Sequence, residues 1–267
     1  MLFRSDIVFE ERAEQIARFI CGKVYQAFIY AVPDEGFVGE LAQVFVNNDF
    51  EIAPVLRVLF QSAHFHDEQV IGAQIKSPTQ LLIGLLREAE PNYYPPTFVF
   101  YRLQRATRVL GQHLLNPPNV AGWPGHHSWL NTTTLQARWL STESILAVSR
   151  FFFVALSEYV LASLPEPIHP ADARSVFALP AALAGHLLAV PAEVLDINAP
   201  SDSFAGDLVN NPIPSDVTDS PAHVRDLAKI FLDGTPWYEW NLYGNQGTPM
   251  LKRYVNYLIQ LPEFQLT

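Results

Sequence analysis

The sequence predicts an all-α fold, one irregular multi-helix domain with long proline-rich loops, on three observations. Apolar residues recur at helical spacing in segment after segment, beginning with Ile16, Phe19, Ile20, Val24, Ala27 and Phe28. Most of the 21 prolines fall between such segments or at their starts, where proline stops or opens a helix. No internal repeat and no segment with the period-two alternation of a half-buried strand stands out.

Taken in order, the first helix spans about 10–30 and is broken by Pro33, Asp34 and Gly36. A second follows over 37–46. Asn47, Asn48 and Asp49 offer a turn and an N-cap before a third, whose apolar face is drawn by Ile52, Val55, Leu56, Leu59 and Phe60. The mixed stretch 61–77 holds His64, His66, Asp67 and Glu68, residue types that suit zinc or non-haem iron. With no third, distant ligand identifiable, it reads as a helix end and no metal site is assigned. Ser77, Pro78 and Gln80 form a compact helix start with the makings of a capping box. After a Tyr93–Tyr94 loop between prolines, a helix over 98–114 buries Val99, Leu103, Ala106 and Leu110, while Arg102, Arg105 and Arg108 step along another side. Such a stripe reads as a solvated face, a set of ion pairs or an anion-facing wall.

The stretch 116–131 carries three prolines, two glycines, two tryptophans, two histidines and three asparagines in sixteen residues. Pro117 and Pro118 stop the preceding helix, and Gly122 and Gly125 permit positive φ. Trp123 and Trp129 can anchor the loop by burial, and Asn131 caps the next helix. The result is a rigid, self-packed loop that organises helices or holds a site. If it holds one, the candidates are Asn119, Trp123, His126, His127, Trp129, Asn131 and, on the following helix, Arg138 as an anion clamp.

That helix continues, with a break expected near Ser141, towards Leu161, and takes Arg150 and Glu158 with it. Next comes a helical piece over 171–189 with a break expected at Pro180. Residues 190–220 read as an acidic excursion over the surface, with a helical turn or two within 202–210. Ser220-Pro221 opens a helix that ends at Gly234, and Thr248-Pro249 caps the last one. Between them Trp237, Tyr238, Trp240 and Tyr243 form either a sugar-stacking platform or a clamp that fills a groove of the same protein. The organisation expected is a single helical domain over 1–267. Its parts are a core over 1–164, an acidic proline-rich excursion over 165–221, and C-terminal helices with the aromatic segment over 222–267.

Charge and cysteine usage narrow the function. The net charge of −10 argues against nonspecific binding to nucleic acid or to an anionic membrane, since both need a positive field. The most apolar run, 145–164, contains Arg150 and Glu158, so a buried helix is favoured over a membrane span. Cys21 is the only cysteine, which excludes an intramolecular disulfide and suits a buried, inert thiol. The N-terminus shows no apolar h-region, so no signal peptide is expected in the chain as given. There is no Gly-x-Ser-x-Gly, phosphate-binding glycine loop, dinucleotide fingerprint or His-Glu-x-x-His, which lowers the case for an enzyme.

Asn-Pro-Pro-Asn-Val-Ala-Gly-Trp-Pro-Gly at 116–125, followed by Trp129-Leu130-Asn131 and Arg138-Trp139, closely resembles the hallmark of the bacterial domain of unknown function 1800 family. Ala17-Arg18-Phe19-Ile20, Lys76-Ser77-Pro78 and Tyr238-Glu239-Trp240-Asn241 extend the resemblance over essentially the whole chain. It implies a place in the C-terminal half of a longer family pattern, export to the periplasm or cell exterior, and a sulfatase-like companion protein. His126 and His127 depart from the family pattern, which tends to small or polar residues there. Together these features predict a non-catalytic binding or scaffold protein of an exported assembly, serving a polysaccharide or a sulfatase-like partner. The alternative is a hydrolase or metal-dependent enzyme with its site near the 116–131 loop. The sequence names no cofactor.

Overall fold

The computed structural model describes residues 10–89, 96–147, 152–172, 174–197 and 203–267. Among them lie eleven α-helices and several 3-10 turns; the one β-type pairing is an isolated antiparallel bridge between Ile75 and Leu266. By its contacts the chain divides into two compact units, 1–74 with residue 267, and 75–266. The tyrosine loop at 91–95 and Arg150 lie outside the described residues.

The first unit is built on three helices, α1 (Ala13–Phe28), α2 (Glu35–Asn47) and α3 (Ile52–Gln61). The Asp34 side chain caps α2 by accepting from the Phe37 N–H at 2.8 Å. Of the turn and N-cap expected from Asn47, Asn48 and Asp49, the turn forms but the cap does not: Glu51 stands at the N-cap of α3 and makes no side-chain cap hydrogen bond. Asn48 Nδ2 donates back to Val44 O, and Asp49 and Phe50 take left-handed φ values of 52° and 61° to reverse the chain. Ala17, Cys21 and Tyr25 pack with Val38, Leu41, Phe45, Val55 and Leu59 as one apolar core. Burial pushes the Cys21 thiol up to about 11, so it stays protonated and inert at neutral pH.

The second unit holds α4 (Pro78–Ala89), α5 (Thr97–Val109), α6 (Thr132–Leu146), α7 (Phe152–Ala162) and α8 (Ser175–Leu187). It continues with α9 (Ser215–Thr218), α10 (Ala222–Leu232) and α11 (Gly247–Gln260). The capping box at the start of α4 forms as its sequence predicts. Gln80 Oε1 accepts from the Ser77 N–H at 2.8 Å, and Ser77 Oγ accepts from the Gln80 N–H at 3.3 Å. Helix α5 ends at Val109, short of the expected 114, because Gly111 turns left-handed at φ 90°.

Helix α8 is the centre of this core, with Val176, Phe177, Leu179, Leu183, Ala184 and Leu187 all buried. It runs through Pro180, where a break was expected. Proline removes one N–H, but tertiary packing holds the helix, and the Tyr254 hydroxyl donates to the Pro180 carbonyl at 2.9 Å. Helix α6 likewise runs through Ser141 without a break.

The acidic excursion is tethered rather than merely draped over the surface. Leu195, Ile197, Phe204 and Ile213 pack on the core and Val217 is buried within it. Within it Asp207 closes a turn by accepting from the Val209 and Asn210 N–H groups. Two starts differ from expectation. Ser220 Oγ donates to Val217 O instead of capping α10, and α11 begins at Gly247, before Thr248. No Cβ fits at 247, since it would lie 2.2 Å from the Leu242 carbonyl oxygen.

Candidate functional site

The 116–131 loop leaves α5 and delivers the chain to α6. Asn119 Oδ1 accepts from the Ala121 N–H at 2.8 Å, and the Asn119 carbonyl accepts from the Gly122 N–H at 3.1 Å. Gly122 closes this turn and itself takes a positive φ of 88°. Gly125, at φ 74°, opens a one-turn 3-10 helix, His126–Trp129. Both glycines thus have the backbone role expected of them.

His126 follows with φ 45°, a left-handed value uncommon for a non-glycine residue. Its half-buried ring lies 4.0 Å from that of His127, centroid to centroid, at 39°. Burial first, and the neighbouring His127 second, hold the His126 imidazole below its ordinary value, which favours the neutral ring. His127 is exposed.

Trp123 is half-buried and Trp129 is buried. The Trp129 carbonyl accepts from Thr134 Oγ1 at 3.1 Å. Asn131 caps α6 in a full capping box. Its Oδ1 accepts from the Thr133 and Thr134 N–H groups, and its own N–H donates to Thr134 Oγ1 at 2.8 Å.

Arg138, two turns into α6, has no exposed surface. Its Nε donates to Gln265 Oε1 at 2.7 Å and its Nη2 to the Lys76 carbonyl at 2.7 Å. Gln265 Nε2 in turn donates to the Ile259 carbonyl. One side chain therefore ties α6 to the start of α4 and to the last turn of the chain. Burial pushes the guanidinium down to about 10, still charged at neutral pH. Its acceptors are an amide and a peptide carbonyl, both neutral.

The aromatic segment has partners of its own. Trp237 Nε1 donates to the Asn211 carbonyl at 3.2 Å, and its ring tilts on Phe177. The Tyr238 hydroxyl accepts from the Asp207 N–H at 3.0 Å. Trp240 packs edge-on against Phe231 at 5.6 Å, and the Tyr243 hydroxyl donates to Glu158 at 2.7 Å. Three of these contacts reach the 204–211 stretch and α8, so the segment clamps the excursion to the core.

Two cavities could not be read from sequence spacing, although the sequence singles out some of the residues that line them. Trp139 lines a cavity of 420 Å³ with Thr132, Leu135, Gln136, Leu140 and Gln260, and its buried Nε1 has no hydrogen-bond partner among the described residues. In the first unit, a cavity of 540 Å³ lies beside Tyr25, His64 and Asp67, where the Tyr25 hydroxyl meets His64 Nε2 at 2.8 Å. His66, two residues on, faces the Phe60 carbonyl instead at 3.0 Å. Tyr25 and His64 are 39 positions apart, so only the fold brings them together. Among the described residues, no three His, Cys, Asp or Glu side chains are grouped to hold a metal ion.

Residues 5–266 match the model of a family described as "Protein of unknown function (DUF1800)". The match takes in the opening helices as well as the later ones and is not confined to one half of the chain. No curated protein and no solved structure gives a significant match.

Proposed function

The chain belongs to the DUF1800 family, and on that premise we propose that it is a non-catalytic binding or scaffold protein of an exported bacterial assembly, serving a polysaccharide or a sulfatase-like partner. One observation carries this reading. The polar residues of the signature region make bonds that hold the chain itself in shape: Asn119 closes a turn, Asn131 caps α6, and Arg138 joins three segments. A nucleophile, base or oxyanion donor would instead direct such groups at an open site. What such a frame offers a ligand is a fixed surface, with Trp123 and His127 as its partly open side chains.

The test is binding of the purified chain to a glycan array and to a purified sulfatase-like protein from the same bacterium. Saturable binding to either supports the reading; silence on both removes it.

A second reading, a hydrolase or metal-dependent enzyme centred on the loop, is favoured by His126. It combines a left-handed backbone with a neutral-leaning ring tilted against a second imidazole, and backbone strain gathers at functional sites. A His126→Ala/His127→Ala double variant separates the two. Loss of an ester-hydrolysing activity with the fold intact would establish the enzyme; unchanged binding and no activity in either form would dismiss it.

A further inference from the structure

Between 91 and 142 the sequence contains no aspartate or glutamate, in a chain whose net charge is −10. Four arginines are the only Lys or Arg there, and three of them lie on α5. At 100° per residue, Phe98, Tyr101, Arg102, Arg105, Arg108 and Val109 fall within about 120° of arc on that helix. All six are exposed, opposite the buried Val99, Leu103 and Thr107. Among the described residues, none of the three arginines makes an ion pair or hydrogen bond, so the stripe is not a set of internal salt bridges.

Just past the C-terminal end of α5 two aliphatic side chains stand fully in solvent, Leu115 at 100% and Val120 at 110% relative exposure. Leu115 is held there by a left-handed backbone, φ 63°, and Val120 lies between the Asx-turn residue Asn119 and Ala121. Both follow α5 closely in sequence, Leu115 six residues and Val120 eleven residues past Val109.

We infer that this face, α5 with the tip of the 116–131 loop, docks on the surface of an anionic lipid bilayer without crossing it. Aromatic rings, arginines and valine are interleaved along one arc with no acidic residue among them. At a bilayer surface these groups share one depth: rings and alkyl stems lie among the headgroups while guanidinium groups reach lipid phosphates. Leu115 and Val120 gain by entering the acyl boundary, whereas a soluble polyanion offers them nothing. The net charge of −10 weighs against nonspecific adsorption of the whole chain to such a surface, but not against docking through one cationic face. At physiological salt, charges more than a Debye length of about 8 Å from the surface are largely screened, so the local +3 of α5 decides. No described helix is long and apolar enough to cross a membrane, which fits docking from one side.

The experiment is co-sedimentation of the whole chain with vesicles of phosphatidylcholine alone and with vesicles of phosphatidylcholine mixed with phosphatidylglycerol. Binding to the anionic vesicles, weakened by added salt and absent from neutral vesicles, is expected. Replacing Arg102, Arg105 and Arg108 by alanine should weaken it by on the order of a hundredfold. Leu115→Asp with Val120→Asp should weaken it too while leaving the thermal midpoint unchanged, since both side chains are exposed. Equal partition to neutral and anionic vesicles overturns the proposal. So does failure to bind anionic vesicles, whether or not an acidic polysaccharide or protein binds through the arginines, and so does anionic binding that survives both sets of substitutions. The vesicle readout is separate from the glycan and sulfatase-partner test, so either can fail without the other.

Discussion

Four arginines occupy the acid-free stretch 91–142, and α5 and α6 put them to opposite uses. On α5, Arg102, Arg105 and Arg108 are exposed and unpaired among the described residues. On α6, Arg138 is wholly buried and bonded to Gln265 and Lys76. Residue type and local charge are the same in both cases. What differs is whether the fold brings neutral acceptors to the guanidinium. A buried cation can be held without a carboxylate when amide and peptide oxygens meet its donors, and the lowered value of Arg138 records the desolvation that remains.

The largest effect should come from breaking the buried case. Arg138→Ala leaves Gln265 Oε1 and the Lys76 carbonyl without this donor and opens a cavity, so a loss of about 4 kcal/mol is expected in urea unfolding. A stability equal to the parent's would mean that these bonds contribute nothing net. Asn131→Ala removes the cap of the helix that carries Arg138; a cost of about 1 kcal/mol is expected by the same measurement. Arg105→Ala, on the exposed face, should shift stability by no more than about 0.5 kcal/mol. A large loss there would show that the α5 stripe is structural and erase the contrast.

The smallest effect concerns pH. The folded value of His126 lies below the ordinary imidazole value of about 6.5 that the unfolded chain keeps. The unfolded state therefore binds more protons as pH falls through that ordinary value towards the lower folded one. Stability from this group is fully present above about 6.5 and declines below it. The thermal midpoint should drop on acidification over this window, and less so in His126→Asn. Equal drops would assign the pH dependence to other groups.

Elements fixed by bonds three residues apart were legible in the sequence. The capping boxes at Ser77 and Asn131 and the positive φ of Gly122 and Gly125 need only a few neighbouring residues to be read. The sequence offers Arg138, on the helix after the loop, as an anion clamp, because its true acceptors lie 62 and 127 positions away, where no local pattern reaches. Pro180 misled for the same reason: the helix it should break is held by side chains from α10 and α11. The 190–220 excursion looked unanchored because its few apolar residues are spaced singly, yet Phe204, Ile213 and Val217 suffice to tether it. The exposure of Leu115 was equally hidden, since a leucine beside a helix end is ordinarily read as core.

The reach of the Arg138 bonds also orders events in time. Local caps can close as soon as their helices nucleate, whereas closing loops of 62 and 127 residues must wait until most of the chain is in place. On this reasoning Arg138 is expected to act as a latch set after the folding barrier rather than a seed before it. Its removal should leave the refolding rate nearly unchanged and accelerate unfolding, so that the signature region governs how long the native state lasts more than how quickly it is reached.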